Sequence, residues 1–151
     1  MEIRRIRQTE AVTDLWDEAA QSVPDGGPLK ERGRRNIAAM LVLAASSHRG
    51  ACFVDDDLNG FVLAELIPDG LLPGRAGRVE ELYARGDAEL ERALVQAAVE
   101  WLFEQGVPAI HCRVAHGEPG AEVLEALGFE PEATRFGLYR DSSTSNWTSS
   151  P

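Results

Sequence analysis

Four ionisable side chains, Arg78, Glu80, Glu81 and Tyr83, crowd into one short segment, Arg78 to Ala84, which reads Arg-Val-Glu-Glu-Leu-Tyr-Ala. Strand alternation puts Val79, Glu81 and Tyr83 on one face and Glu80, Leu82 and Ala84 on the other. A carboxylate in such a place can act as a general base if it reaches a substrate proton and partial burial lifts its pKa toward neutrality. The plain alternative is a surface carboxylate paired with Arg78 or Arg75. His116, in a loop after a predicted strand, is a further candidate base or donor, although a loop histidine is more often simply solvated. His111 and Cys112 alternate across that strand and read as a packing pair, since a cysteine nucleophile needs a base that the spacing does not supply. Asp55-Asp56-Asp57 carries acid enough for a cation but lacks EF-hand spacing, so it reads as a solvated hairpin tip and no metal site is expected. Arg32, Arg34 and Arg35 form a basic cluster that can grip an anion or line a solvated helix face.

The elements that position these groups follow from periodicity. Met1 to Arg7 is a short extended segment. Thr9 caps a helix in which Val12, Leu15, Trp16 and Ala19 recur at helical spacing. Pro24 to Pro28 breaks the chain, and a second helix follows with Ile37, Met40, Leu41, Ala44 and Ala45 on one stripe, closed by Gly50. Ala51 to Val54 and Phe61 to Ile67 are strands joined through Asn59-Gly60, a hairpin signal. After a Gly/Pro-rich loop, Pro68 to Gly77, comes the strand Arg78 to Ala84. The longest stripe is Leu90, Ala93, Leu94, Ala97, Ala98, Trp101 and Leu102, a helix ended by Gln105-Gly106. Trp16 and Trp101 thereby read as core. Ala109 to Val114 is a strand, Glu118-Pro119-Gly120 opens a short helix through Leu127 that Gly128 ends, and Arg135 to Arg140 is a last strand. This order predicts one α/β domain over residues 1–140, with a mixed sheet and a strand-helix-strand crossover. The Ser/Thr-rich residues 141–151 are expected to be a disordered tail.

Composition narrows the partners. The 151 residues carry a formal charge of −10, which disfavours a nucleic-acid backbone. The acid is concentrated, because residues 51–110 alone hold a net −8. Two cysteines and no signal segment fit a reducing cytoplasm, and no apolar run is long enough for a membrane span.

From Arg78 onward the chain resembles the GNAT (GCN5-related) N-acyltransferase family. The resemblance rests on Val79-Glu80-Glu81-Leu82-Tyr83-Ala84, then Arg85-Gly86, then Arg92-Ala93-Leu94-Val95, and finally Leu127-Gly128-Phe129, together with the order of elements. It implies an α/β fold with a GNAT-like mixed central sheet of about six to seven strands and about four helices. It also implies acyl transfer from acetyl-CoA or another acyl-CoA to a small-molecule or peptide amine. The pantetheine arm would lie between two splayed strands, with main-chain groups of Leu82, Tyr83 and Ala84 near the thioester. The pyrophosphate would lie on the turn and helix start formed by Arg85, Gly86, Asp87, Ala88, Glu89, Leu90, Glu91 and Arg92. Glu81 is the expected base, with Tyr83 and His116 as the other candidate catalytic groups.

The sequence departs from the family at the anion site. Glu89 and Glu91 fall where the family usually has glycine, and Asp87 and Ala88 lengthen the loop. Acids in a first helical turn stabilise the helix dipole, yet they repel a phosphate by about 1–4 kcal/mol each at a few ångströms. Glu89 and Glu91 are expected to occupy or obstruct the N–H groups of residues 86–91. A second departure is Leu124, which stands where the family often has a tyrosine. Two functions are therefore open: an acyltransferase with weakened or altered CoA binding, or a catalytically silent GNAT-fold protein that binds a partner or small molecule. A homodimer is compatible with either.

Overall fold

The computed structural model describes residues 2–7, 10–21, 47–68, 75–112, 120–131, 139–140 and 147–148. The elements are β1 (Ile3–Ile6), α1 (Glu10–Gln21), β2 (Gly50–Asp55), β3 (Phe61–Pro68), β4 (Arg75–Tyr83), α2 (Ala88–Glu104), β5 (Ile110–Cys112), α3 (Gly120–Ala126), β6 (Tyr139–Arg140) and β7 (Trp147–Thr148). The expected second helix and its arginine cluster lie outside the described residues, as does His116. Gly50, expected to close that helix, is instead the buried first residue of β2.

Five strands form one sheet in the order β1-β2-β3-β4-β5, while β6 and β7 pair separately. The first three ladders are antiparallel and β4 with β5 is parallel, as a crossover through α2 requires. Tyr139 pairs with Thr148, so β7 falls within the segment read as tail.

Alternation feeds two cores. One face of the sheet sends Ala51, Phe53, Val62, Ala64 and Val79 against Leu90, Leu94, Ala98 and Leu102 of α2. The other sends Ile6, Cys52, Val54, Phe61 and Leu63 against Val12 and Leu15 of α1. Because both faces are covered, β2 is buried along its whole length and reads as a continuous apolar run. Trp101 is half-buried against the α2 core and lies 5.4 Å from the Arg5 guanidinium, while the side chain of Trp16 is outside the described part.

Local chemistry sets the ends of these elements. Gly106, at φ 83°, terminates α2 as expected, and its N–H donates to Phe103 at 2.9 Å. Gly77 lets α2 approach β4, since a Cβ there would lie 3.0 Å from both Leu102 methyls. The β2–β3 hairpin forms, but Leu58 rather than Asn59 or Gly60 takes the left-handed conformation, at φ 54°. The buried Asp55 carboxylate accepts from the N–H groups of Asn59 at 2.8 Å and Gly60 at 3.0 Å, which fixes that loop.

Candidate active site

The parallel ladder runs through Gly77↔Ile110, Arg78↔His111 and Val79↔Cys112, and among the described residues it ends there. β4 continues for four residues beyond it. Within that extension the β3 register shifts: Leu63 faces Glu80, but Phe61 faces Tyr83, so β4 advances three residues while β3 advances two. The extra residue is Glu81, at φ 54°. This is a β-bulge, and it inverts the alternation for everything beyond it.

The expected face-sharing of Glu81 and Tyr83 is therefore wrong. Glu80, opposite Leu63, stands on the α1 side together with Tyr83, and Leu82 packs with Val79 on the α2 side. Glu81 is exposed at the bulge, whereas the Glu80 side chain is only 11% exposed. Arg78 lies between two carboxylates: Nη2 donates to Glu65 at 2.9 Å, and Nε stands 2.6 Å from Glu80 Oε1. The Nε–H is not aimed at that oxygen, so the second contact is a charge contact rather than a hydrogen bond. His111, lateral to Arg78, is on the same face of the sheet as Glu80.

At the end of β4 the Tyr83 hydroxyl donates to Glu18 of α1 at 2.8 Å. Arg85 meets the same carboxylate with two nitrogens, Nε at 2.6 Å and Nη2 at 3.0 Å, and its Nη1 donates to Asn59 at 2.8 Å. Hydrogen bonds from Arg85 and Tyr83 hold the Glu18 carboxyl below the usual carboxylate range. Desolvation and the Glu18 carboxylate push the Tyr83 phenol up, so it remains a protonated donor. Glu18 was invisible in the sequence, because 65 residues separate it from Tyr83 and nothing in a helical stripe marks an exposed glutamate.

The turn into α2 places Arg85 at φ 51° and Gly86 at φ 78°, and the Asp87 N–H donates to Ala84 at 2.9 Å. Asp87 then caps α2: its Oδ1 accepts from Glu89 at 3.1 Å and from Leu90 at 3.2 Å. The occupant of the helix N-terminus is thus Asp87 and not Glu89 or Glu91. Glu89 is exposed, and Glu91 is half-buried, with desolvation and then Asp87 raising its carboxyl. Ala88 is exposed at the first helical position, Arg92 is exposed one turn on, and Ala84 and Leu90 are core. The cap had a readable signal, an aspartate immediately before a periodic apolar stripe.

Leu124 is buried on α3 and Gly128, at φ 95°, ends that helix as expected. Cys112 packs partly against the α2 core, and burial pushes the Cys52 thiol up to about 12, which leaves it inert. Among the described residues no helix is long and apolar enough to cross a membrane.

No protein-family model and no curated protein sequence matches the chain. Solved structures do. A ribosomal-protein-alanine N-acetyltransferase from Brucella melitensis biovar Abortus superposes with a TM-score of 0.66 at 18% identity, covering 91% of this chain and 97% of that one. An acetyltransferase from Trypanosoma brucei superposes with a TM-score of 0.62 at 20% identity, covering 91% of this chain and 98% of that one. At these identities the likeness defines the fold.

Proposed function

We propose that this chain, which has the fold of the GNAT acyltransferases, transfers an acyl group from an acyl-CoA to an amine, and that it grips the thioester arm more than the phosphates. The observation that carries this reading is the end of β4, where a bulge at Glu81 follows Val79↔Cys112, the last described pair of the parallel ladder. A strand end bent by a bulge can accept an extended thioester arm along its edge, as an added strand. The phosphate end fits less well, because Asp87 already accepts the N–H groups of residues 89 and 90, and Glu89 and Glu91 add charge.

In the transfer, the amine nitrogen bonds to the thioester carbonyl carbon, the carbon–sulfur bond breaks, and the thiolate leaves. Main-chain N–H groups of Leu82 to Ala84 are the candidate donors to the carbonyl oxygen. The nitrogen must lose a proton, and Glu80 takes the role of base that alternation gave to Glu81. It is the secluded carboxylate on the Tyr83 face, anchored by Arg78. Tyr83 holds its proton against Glu18 and orients α1 beside that face. The concentration of acid in residues 51–110 favours a cationic amine as acceptor.

A second reading, a non-catalytic binding protein, is favoured by the self-capped helix start. Calorimetry with CoA and a thiol-release assay with acetyl-CoA and an amine panel separate the two. Binding with release of free thiol supports transfer; no binding at about 1 mM, a free energy of only about −4 kcal/mol, removes it.

A further inference from the structure

The charges around the start of α2 are unequal in what they are free to do. Asp87, Glu89 and Glu91 precede or open the helix, and Arg85 and Arg92 are the cations of the same stretch. Arg85 adjoins Gly86, one residue further from α2, yet its guanidinium is held across the molecule, against α1 and the β2–β3 loop. Both Glu18 oxygens take its Nε and Nη2, at 2.6 and 3.0 Å. Its Nη1 donates to Asn59 Oδ1 at 2.8 Å, and Asn59 is itself fixed by its N–H on the buried Asp55. Glu18 is steadied in turn by the Tyr83 hydroxyl at 2.8 Å. Each arm of the fork is thus committed to a partner away from the helix start.

The arrangement is nevertheless open to exchange. The Arg85 and Glu18 side chains are 45% and 44% exposed, so solute reaches both. A phosphate offers an arginine fork the same two-oxygen geometry as a carboxylate, with more charge. We propose that Glu18 is a positioning residue for the donor site: by holding Arg85 it withholds a cation that adjoins the α2 start in sequence from a phosphate there, and so lowers affinity for phosphate-bearing donors. This rests on the acyl-CoA reading above for its biological meaning, but its chemistry concerns any polyphosphate at that turn.

The test is calorimetry on the full chain with four proteins: wild type, Glu18→Gln, Arg85→Gln and the double variant. The ligands are CoA, pantetheine and inorganic pyrophosphate, and thermal unfolding checks that each protein is folded. Glu18→Gln is expected to tighten CoA and pyrophosphate about tenfold and to leave pantetheine unchanged. Arg85→Gln is expected to change wild-type affinity little and to erase the gain in the double variant. A looser helix docking would alter pantetheine as well, so the split between ligands separates positioning from scaffolding. The proposal is overturned if Glu18→Gln leaves CoA and pyrophosphate affinity the same or weaker. It is overturned too if the gain persists without Arg85, since removal of one negative charge then accounts for it. If pantetheine binds none of the four proteins while pyrophosphate responds as described, the acyl-CoA reading fails and the role of Glu18 stands.

Discussion

Replacing Asp87 by asparagine separates its two roles, because asparagine caps a helix about as well as aspartate but carries no charge. The side-chain oxygen can still accept from Glu89 and Leu90, now 3.1 and 3.2 Å away, so α2 keeps its start. A phosphate seated beside those N–H groups stands about 4–6 Å from the carboxylate, given ordinary hydrogen-bond lengths. At an effective dielectric of about 40–80, two unit charges at that range repel by about 0.7–2 kcal/mol. Asp87→Asn should therefore tighten CoA by a factor of about 3–30. It should also cost the fold about 0.3–1 kcal/mol, because a negative charge is lost from the helix N-terminus. Affinity and stability thus move in opposite directions, which a general loosening of the loop would not produce. Calorimetry with CoA at low salt measures the first and thermal unfolding the second. Unchanged or weaker CoA binding in a folded Asp87→Asn protein would refute the reasoning, and so would an equal gain for pantetheine.

Glu80→Gln should lower kcat by a factor of about 10²–10⁴, the usual contribution of a positioned base, while Glu81→Gln stays within a few-fold in the same thiol-release assay. A larger loss from Glu81→Gln would restore the base to the bulge. Gly60→Ala forces a Cβ to within 2.6 Å of the Tyr83 carbonyl oxygen, whereas Gly86→Ala meets nothing and suffers only from its φ of 78°. Chemical denaturation should show the second costing about 1–2 kcal/mol and the first clearly more; the reverse order contradicts the packing at β4. Because the Glu18 carboxyl is lowered in the folded protein, the stability it contributes is present above the usual carboxylate range and is lost as pH falls through the lowered value. Glu18→Gln should flatten that acid limb in an unfolding-against-pH series, and an unchanged limb would show that the contacts do not hold in solution.

The parts of the fold legible from sequence are those where burial repeats with a fixed period. The stripe Leu90, Leu94, Ala98 and Leu102 is buried along α2, and the alternating residues of β2 and β3 divide between the two cores as a period of two requires. The order of strands around α2 followed from the same patterns and from the resemblance. Illegible were features that break a period or join distant segments. One inserted residue at Glu81 changes the face of every residue after it, and neighbouring glutamates give no sign of which one bulges. The Glu18–Arg85 fork joins positions 67 residues apart through exposed side chains, which no hydrophobic pattern records. Asp87 lies between these cases: its place before the stripe marks it as a cap, while the family's glycine positions point to Glu89 and Glu91 for the same task.

We propose above that the donor is held by the strand end at β4 and only weakly through its phosphates. Calorimetric titration of the wild-type protein with CoA and with pantetheine, under identical buffer and salt, tests it most directly. Both should bind, with affinities within about tenfold of each other, a difference of no more than about 1.4 kcal/mol. Pantetheine binding about a thousandfold weaker than CoA, about 4 kcal/mol, would show that the phosphates dominate after all and contradict it.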